Sequence, residues 1–276
     1  MLKALSMKTS VGVIAAIVVA AATPGIAADV GAMIERAMDG AHRSEANKLR
    51  DAFRHPKQTL LFLGLEADMK VIEITPGGGW YSEILAPVLR ESGAMYAASY
   101  EITEQSRDFF RRMDANYRAK REAWPDVYDR VEMVYFNPAA PEFGQANSVD
   151  MVLTFRNVHN WAKAGTAEGM FQGFAAVLKP GGVLGVVEHR AKPGTPLRKQ
   201  IKSGYMTEDY VIEMALKAGF RLAGSSEVNA NPNDTKDHPG GVWNLLPNLR
   251  DVPKEEEAKY RAIGESDRMT LKFIKR

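Results

Sequence analysis

The chain has 276 residues, of which 45% are hydrophobic and 25% are charged, and it contains no cysteine. This profile is typical of a globular protein with one large domain or two small ones, and it excludes a disordered or collagen-like chain. The absence of cysteine also excludes disulfide bonds, thiolate catalysis and thiolate metal ligands.

The N-terminal residues 1–27 have the three-part pattern of a secretory signal peptide. Two lysines precede an uncharged apolar run over residues 11–22, and a stretch of mostly small residues follows it. The run is shorter than the roughly 20 apolar residues that a transmembrane helix requires. We therefore predict cleavage after Ala27, a periplasmic or secreted location and no integral membrane segment in the mature chain. A buried N-terminal helix is the alternative.

The charge balance bears on the choice of partner. The chain has 36 Lys and Arg residues and 34 Asp and Glu residues, and cleavage would remove two of the lysines. The mature chain is then formally neutral, whereas the phosphates of nucleic acids demand a basic surface. We expect a small-molecule substrate and no nucleic-acid partner, and the oligomeric state stays open.

Helices and strands alternate along the remainder of the chain. Apolar residues at helical spacing predict an N-terminal helical extension over residues 28–56, which ends at Arg54-His-Pro56. Further helices are predicted over residues 58–65, 104–121, 168–178 and 207–218, with a short one that begins at Trp80 and ends or kinks at Pro87. Strands are predicted over residues 70–74, 94–98, 130–135, 148–155, 183–188, 220–228 and 267–274. The pattern predicts a doubly wound α/β domain over residues 57–276, with a mainly parallel sheet whose last two strands pair antiparallel.

A glycine-rich turn follows the first predicted strand. Gly77, Gly78 and Gly79 leave the backbone open to a ligand, and the next helix offers free N–H groups. Three glycines after a strand are about as typical of a plain structural turn as of a ligand-binding loop. The strand before them, the helix after them and the acidic Glu73 favour a binding loop.

The segment Glu73-Ile-Thr-Pro-Gly-Gly-Gly79 resembles the first motif of class I S-adenosylmethionine-dependent methyltransferases, in which an acidic residue precedes a glycine-rich loop. Residues 148–154, 178–184 and 218–220 resemble later segments of the same superfamily, in the same order. The resemblance covers about residues 55–276 and implies a seven-stranded Rossmann-like sheet with a C-terminal antiparallel hairpin. It also implies S-adenosylmethionine as the cofactor. Other segments, Arg54-His-Pro56 and Glu188-His-Arg190 among them, resemble an exported bacterial group of predicted methyltransferases.

The resemblance implies a set of cofactor-binding residues. They are Glu73, Thr75, Gly77, Gly78, Gly79, Tyr81, Glu101, Asn137 and Asn157. Three of them depart from the pattern of most relatives. Thr75 stands in place of the first glycine, Glu101 comes two residues after the usual place of the ribose-binding acid, and Asn137 replaces an Asp near the adenine.

Polar residues follow the predicted fourth and fifth strands, and open α/β sheets bind ligands beyond the carboxyl ends of their strands. Arg156 and His159 follow the fourth strand, and Glu188, His189 and Arg190 end the fifth. We predict His159 and His189 as candidate general bases, with Glu188 orienting or polarising either one. The alternatives are structural histidines and a Glu188 that pairs with Arg190 or Arg156.

The connection over residues 229–248 is unusually long for two antiparallel strands, and it is rich in Asn, Asp, Pro and Gly. Long irregular loops in compact domains tend to be functional. We predict that this segment covers the cofactor edge as a lid, and a mobile surface loop is the alternative. Trp161 and Trp243 are predicted either as core or lid residues or as platforms for a substrate.

Three functions remain open from the sequence. The first is a class I S-adenosylmethionine-dependent methyltransferase of an unidentified small molecule, with a phenolic or quinone-like acceptor favoured because residues 182–189 resemble ubiquinone-type C-methyltransferases. The second is an exported non-catalytic binding protein that keeps the methyltransferase fold. The third is an enzyme with a metal held by His159, His189 and His238, but no H-E-x-x-H spacing supports it, so no metal site is predicted.

Overall fold

The computed structural model describes residues 29–276. The predicted signal peptide and its cleavage site at Ala27 lie outside the described residues. Within residues 29–276, no helix is both long enough and apolar enough to cross a membrane.

One seven-stranded sheet forms the centre of the molecule. Its strands are β1 (Lys70–Ile74), β2 (Ala94–Tyr100), β3 (Val131–Phe136), β4 (Val149–Phe155), β5 (Leu178–His189), β6 (Phe220–Ser226) and β7 (Arg268–Lys275). They lie in the order β3-β2-β1-β4-β5-β7-β6. The strands from β3 to β5 are parallel, and β7 is antiparallel to both of its neighbours. The predicted doubly wound, mainly parallel sheet with a C-terminal antiparallel hairpin is confirmed.

Helices flank the sheet. They are α1 (Val30–Asp39), α2 (Glu45–Lys48), α3 (Asp51–Arg54), α4 (Pro56–Leu63), α5 (Ser82–Leu89), α6 (Asp108–Ala123), α7 (Pro125–Tyr128), α8 (Val158–Ala164), α9 (Ala167–Val177), α10 (Leu197–Ser203), α11 (Glu208–Lys217) and α12 (Glu257–Ile263). Residues 30–54 of the predicted N-terminal extension are helical in three pieces. The sequence did not predict α8 and α10, because seven residues are too few for a periodic pattern. Pro87 lies inside α5, which continues to Leu89, so this proline does not end the helix.

Two apolar clusters cover the two faces of the sheet. Alternate residues of the strands point to opposite faces, so Ile72 and Val152 belong to one cluster, while Val71 and Met151 belong to the other. Helix α9 packs into the first cluster, and α1, α4 and α5 pack into the second. Because both faces are covered, ligands can reach the sheet only at its ends.

Candidate active site

A cleft of about 1190 Å³ lies at the carboxyl ends of the parallel strands. Residues that follow β1, β2, β3 and β4 line it, together with His189 at the end of β5. Pockets that hold one drug-sized ligand measure about 300–1,000 Å³. The cleft therefore lies just above the upper end of this range.

The glycine turn forms one wall of the cleft. A Cβ atom on Gly77 or Gly78 would meet nothing within 4 Å, so both backbones face open space. Gly79 serves packing instead, since a Cβ there would lie 2.8 Å from the Tyr117 ring. Thr75 has a φ of 51°, the left-handed conformation that glycine most easily adopts. Thr75 thus adopts a left-handed backbone at this position although it is not a glycine.

Glu73 lies in β1 and borders the cleft, although only 2% of its surface is exposed. The Ser82 hydroxyl donates a hydrogen bond to its Oε2 at 2.5 Å. Burial raises the pKa of Glu73 to about 7, against the opposing effects of that hydrogen bond and of the Lys120 charge. A cation bound nearby would favour the ionised carboxylate.

The other predicted cofactor residues that border the cleft are Tyr81, Glu101, Asn137 and Asn157. Glu101 is exposed just after β2, and Asn137 follows β3. Asn157 already has a structural role, because its Nδ2 donates to the Ile74 carbonyl at 2.9 Å and so ties β4 to β1. Tyr81 is buried and stacks on the Phe155 ring at 3.5 Å. Of the predicted set, Gly79 does not line the cleft.

The three predicted catalytic residues lie together, with His159 in the first turn of α8 after β4 and with Glu188 and His189 at the end of β5. Glu188 is fully buried, and its Oε1 lies 3.1 Å from His159 Nδ1. The backbone N–H groups of His159 and His189 donate to the same carboxylate at 3.2 and 2.8 Å. Glu188 therefore pairs with His159, not with Arg190 or Arg156 as the alternative had it. The Arg190 guanidinium forms ion pairs with Glu208, Glu227 and Asp267.

The hydrogen bonds set the roles of the two imidazoles. The Glu188 carboxylate accepts a hydrogen bond from the Nδ1–H of His159, which leaves the lone pair of this cleft-lining imidazole on Nε2. His189 shares a hydrogen bond of 2.5 Å between its Nδ1 and the Ser266 hydroxyl. Burial, followed by the nearby His159, lowers the pKa of His189 well below its ordinary value. His189 is therefore neutral at pH 7.

A metal ion is a second use for the same groups. Over residues 29–276, the group of His159, Glu188 and His189 is the one with ligand atoms close enough for one ion, within 4.8 Å of one another. His238 of the metal hypothesis lies elsewhere, with its Nε2 at 2.9 Å from Asp234 Oδ1. Both oxygens of Glu188 and both Nδ1 atoms already have hydrogen-bond partners. The hydrogen bonds of the carboxylate and of both Nδ1 atoms are those expected of an acid–base group, with Nε2 of each imidazole left over.

The 229–248 segment borders the cleft beside these histidines. Its Trp243 ring lies edge-on to His159, at 6.2 Å between centroids, and Leu246 and Pro247 also line the cleft. Asp234 anchors the segment, since it accepts hydrogen bonds from the Tyr205 hydroxyl at 2.9 Å and from the Asp267 backbone at 2.8 Å. That this segment covers the cofactor edge as a lid stays a prediction.

Trp161 has the position of a core residue. It is 1% exposed, packs on the phenylalanines of α9 and donates its indole N–H to the Tyr100 hydroxyl at 3.0 Å. Trp161 and Trp243 were both predicted as possible platforms for a substrate. Of the two, Trp243 is the one whose ring lies beside His159.

A group of charged residues at the cleft was not predicted. Arg50 and Arg54 line the cleft and form ion pairs with Glu265, which is 211 residues away from Arg54 in the sequence. Their only sequence signal is that Arg54 and Glu265 fall in Arg54-His-Pro56 and Gly264-Glu-Ser-Asp-Arg268, two segments that resemble the exported bacterial group. Contacts over such a separation have no periodic pattern by which to recognise them.

The fold agrees with those of solved methyltransferases. No family model matches the chain, and no curated protein matches it by sequence. A SAM-dependent methyltransferase from Aquifex aeolicus has 17% sequence identity, with coverage of 88% of this chain and 97% of that one, and a TM-score of 0.53. The cyclase SpnF has 13% identity, with coverage of 90% and 93%, and a TM-score of 0.58. The predicted class I methyltransferase fold is confirmed, and since one protein with this fold is named a cyclase, function has to be argued from the site.

Proposed function

We propose that the protein is an S-adenosylmethionine-dependent methyltransferase of a small molecule. One observation carries the proposal: a single cleft has an open glycine turn on one wall and a buried Glu188–His159 pair on another. The first is suited to a nucleoside-like cofactor that approaches the backbone closely. The second is suited to the removal of a proton from an acceptor.

The residues of the glycine turn fit the cofactor. Gly77 and Gly78 offer backbone with no side chain in the way, and the Glu73 carboxyl can ionise beside a cation. Glu101 and Asn137 follow the next two strands, where the resemblance puts contacts to the ribose and the adenine. When bound, S-adenosylmethionine supplies an electrophilic methyl group on a positively charged sulfur.

His159, held by Glu188, supplies the general base. Nε2 of His159 accepts a proton from the hydroxyl, amine or acidic carbon of the acceptor as the methyl group is transferred. Glu188 holds the ring through Nδ1 and stabilises the imidazolium that forms, because its carboxylate is buried 3.1 Å away. Trp243 beside His159 offers an aromatic surface, which supports a phenolic or quinone-like acceptor.

Titration calorimetry of the mature protein with S-adenosylmethionine and S-adenosylhomocysteine tests the proposal. We expect both to bind, and we expect Gly78→Asp to abolish binding, because the new side chain would occupy the open space above the turn. Gly169→Asp is the matched control, since a Cβ there meets only Pro141 at an ordinary 3.7 Å and the residue lies outside the cleft. A folded wild-type protein that binds neither compound would disprove the function.

The affinity for S-adenosylmethionine should rise with pH. The pKa of Glu73 is about 7 in the free protein, and the positive charge of bound S-adenosylmethionine would lower it. Below pH 7, binding of the cofactor therefore releases a proton from Glu73. Ionisation of this one group predicts a gain of about tenfold in affinity between pH 6 and pH 8. The cofactor's own amino group also titrates, so the measurement is the difference between the wild type and Glu73→Gln. Equal pH dependence in the two proteins would contradict this role of Glu73.

We propose, finally, that the protein acts after export. The N-terminal pattern of two lysines, an apolar run and small residues supports this. Intact-mass analysis of the protein from a bacterial periplasmic fraction should give a chain that begins at Ala28. An uncleaved chain in the cytoplasmic fraction would contradict the proposal.

A further inference from the structure

Four arginines surround one carboxylate beside the candidate active site, and we call them the arginine cluster. They are Arg50, Arg54, Arg156 and Arg268, and the carboxylate is that of Glu265. Glu265 accepts hydrogen bonds from Arg50 Nε at 2.7 Å, from Arg54 Nε at 3.0 Å and from Arg268 Nη1 at 2.9 Å. One carboxylate thus faces several cations.

The charge of the arginine cluster is not balanced by Glu265 alone. Burial opposes ionisation of Glu265, but the four arginines, Arg54 first, outweigh it and lower its pKa to about 2. Burial and then the charge of Arg54 lower the pKa of Arg156 to about 9, against the attraction of Glu265. The cations repel one another more than a single carboxylate compensates, so an additional anion would be stabilised there.

Two arginines of the cluster have polar atoms to offer a ligand. Within the described part of the chain, the Arg156 guanidinium makes no hydrogen bond or ion pair, and this residue lines the cleft. Its backbone has a φ of 63°, a strained conformation for a non-glycine residue at the end of β4. Arg54 is 2% exposed, and its Nη2 has no partner among residues 29–276. Both side chains border the same cavity.

The arginine cluster lies between the end of the glycine turn, where the Arg54 guanidinium is 4.6 Å from the Trp80 ring, and the histidines. Arg268 begins β7 and is the register partner of His189 on β5, and Ser266, next to Glu265, bonds to His189. Glu101 and Asn137, the residues expected at the ribose and adenine, follow β2 and β3 on the other side of β1. An anion at the arginine cluster would therefore sit beside the general base.

We propose that the arginine cluster binds an oxyanion, a carboxylate or a phosphate, carried by the methyl acceptor. This inference rests on the proposed function and adds the substrate class: an aromatic acid or aryl phosphate whose acceptor atom lies near His159. Arg156 and Arg54 donate to the oxyanion, and Arg50 adds charge. Arginine is suited to this because its planar guanidinium can donate two parallel hydrogen bonds to a carboxylate or phosphate.

Calorimetry with three matched probes tests the proposal in the presence of saturating S-adenosylhomocysteine. The probes are benzoate, phenyl phosphate and the neutral benzamide. We expect at least one anion to bind about tenfold or more tightly than benzamide, as charged hydrogen bonds require. The preferred anion identifies the oxyanion as carboxylate or phosphate. Arg156→Gln should remove this preference, and Arg156→Lys should keep part of it, because the charge remains without the planar fork.

Arg107→Gln is the control for unspecific attraction, since Arg107 is an exposed arginine that lines the cleft next to α6. It should leave the preference unchanged, and thermal melting should show that every variant is folded. Equal binding of benzamide and both anions by the wild type, or an unchanged preference in Arg156→Gln, would overturn the proposal.

The carboxylate of the cofactor is the competing occupant, and a further titration separates the two. S-adenosylhomocysteine has this carboxylate and 5′-methylthioadenosine lacks it. If Arg156→Gln weakens only the former, the arginine cluster serves the cofactor and the proposal is wrong. If S-adenosylhomocysteine does not bind at all, the proposed function fails, while benzoate binding to the free protein still decides whether an anion site exists.

Discussion

Replacement of His159 by glutamine should lower the rate of methyl transfer by about 10²–10⁴-fold, the usual contribution of a general base. Glutamine keeps a polar side chain in the cleft but cannot accept the proton that Nε2 accepts. The measurement is the formation of S-adenosylhomocysteine with a phenolic acid as acceptor. The affinity for S-adenosylhomocysteine should stay unchanged, because His159 lies on the acceptor side. Full activity of His159→Gln would remove it from the mechanism.

Two companion variants separate the base from the residues around it. Glu188→Gln keeps the shape of the positioning residue but not its charge, so the rate should fall, because the imidazolium that forms during the reaction loses its stabilising carboxylate. His189→Gln is the matched control for a buried histidine, and it should affect the rate less. A chain that binds cofactor but shows no turnover with any acceptor would instead be a non-catalytic binding protein.

Replacement of Glu265 by glutamine should lower the free energy of unfolding by about 3–5 kcal/mol, the usual effect of removing one partner of a buried ion pair. Glu265 is 3% exposed, and its loss leaves the arginine cluster without a counter-charge. Urea unfolding of wild type and variant at pH 7 measures the difference. Glu257→Gln is the control, because Glu257 forms an exposed pair with Arg261 that is worth at most about 1 kcal/mol.

Protonation of the Glu265 carboxylate should contribute to the loss of stability in acid. The pKa of Glu265 is about 2 in the folded protein against an ordinary 4.5, so the unfolded chain binds the proton more readily. Its contribution of about 3 kcal/mol is fully present above pH 4.5 and is lost as the pH falls towards 2. Glu265→Gln should therefore lose less stability than the wild type over this range. Parallel pH profiles would contradict the assigned pKa.

Strands and the glycine turn could be predicted because their signals are local. The first strand runs over residues 70–74 in both the prediction and the structure, since a short apolar run before glycines is typical of a buried strand. The fifth strand was predicted too short. It begins at Leu178, because residues 179–182 continue the strand beside a register shift between Val149 and Met151 of β4.

By itself, the amino-acid sequence determined the fold class, the glycine turn and the positions of His159, Glu188 and His189 at strand ends. These depend on the alternation of apolar residues and on the rule that the carboxyl ends of parallel strands meet at one edge. Only the tertiary structure decided that Glu188 pairs with His159, that His238 binds Asp234 and that four arginines gather around Glu265. The physical reason is that side-chain pairing depends on distances between atoms in space, and residues far apart in the chain leave no periodic signal of such contacts.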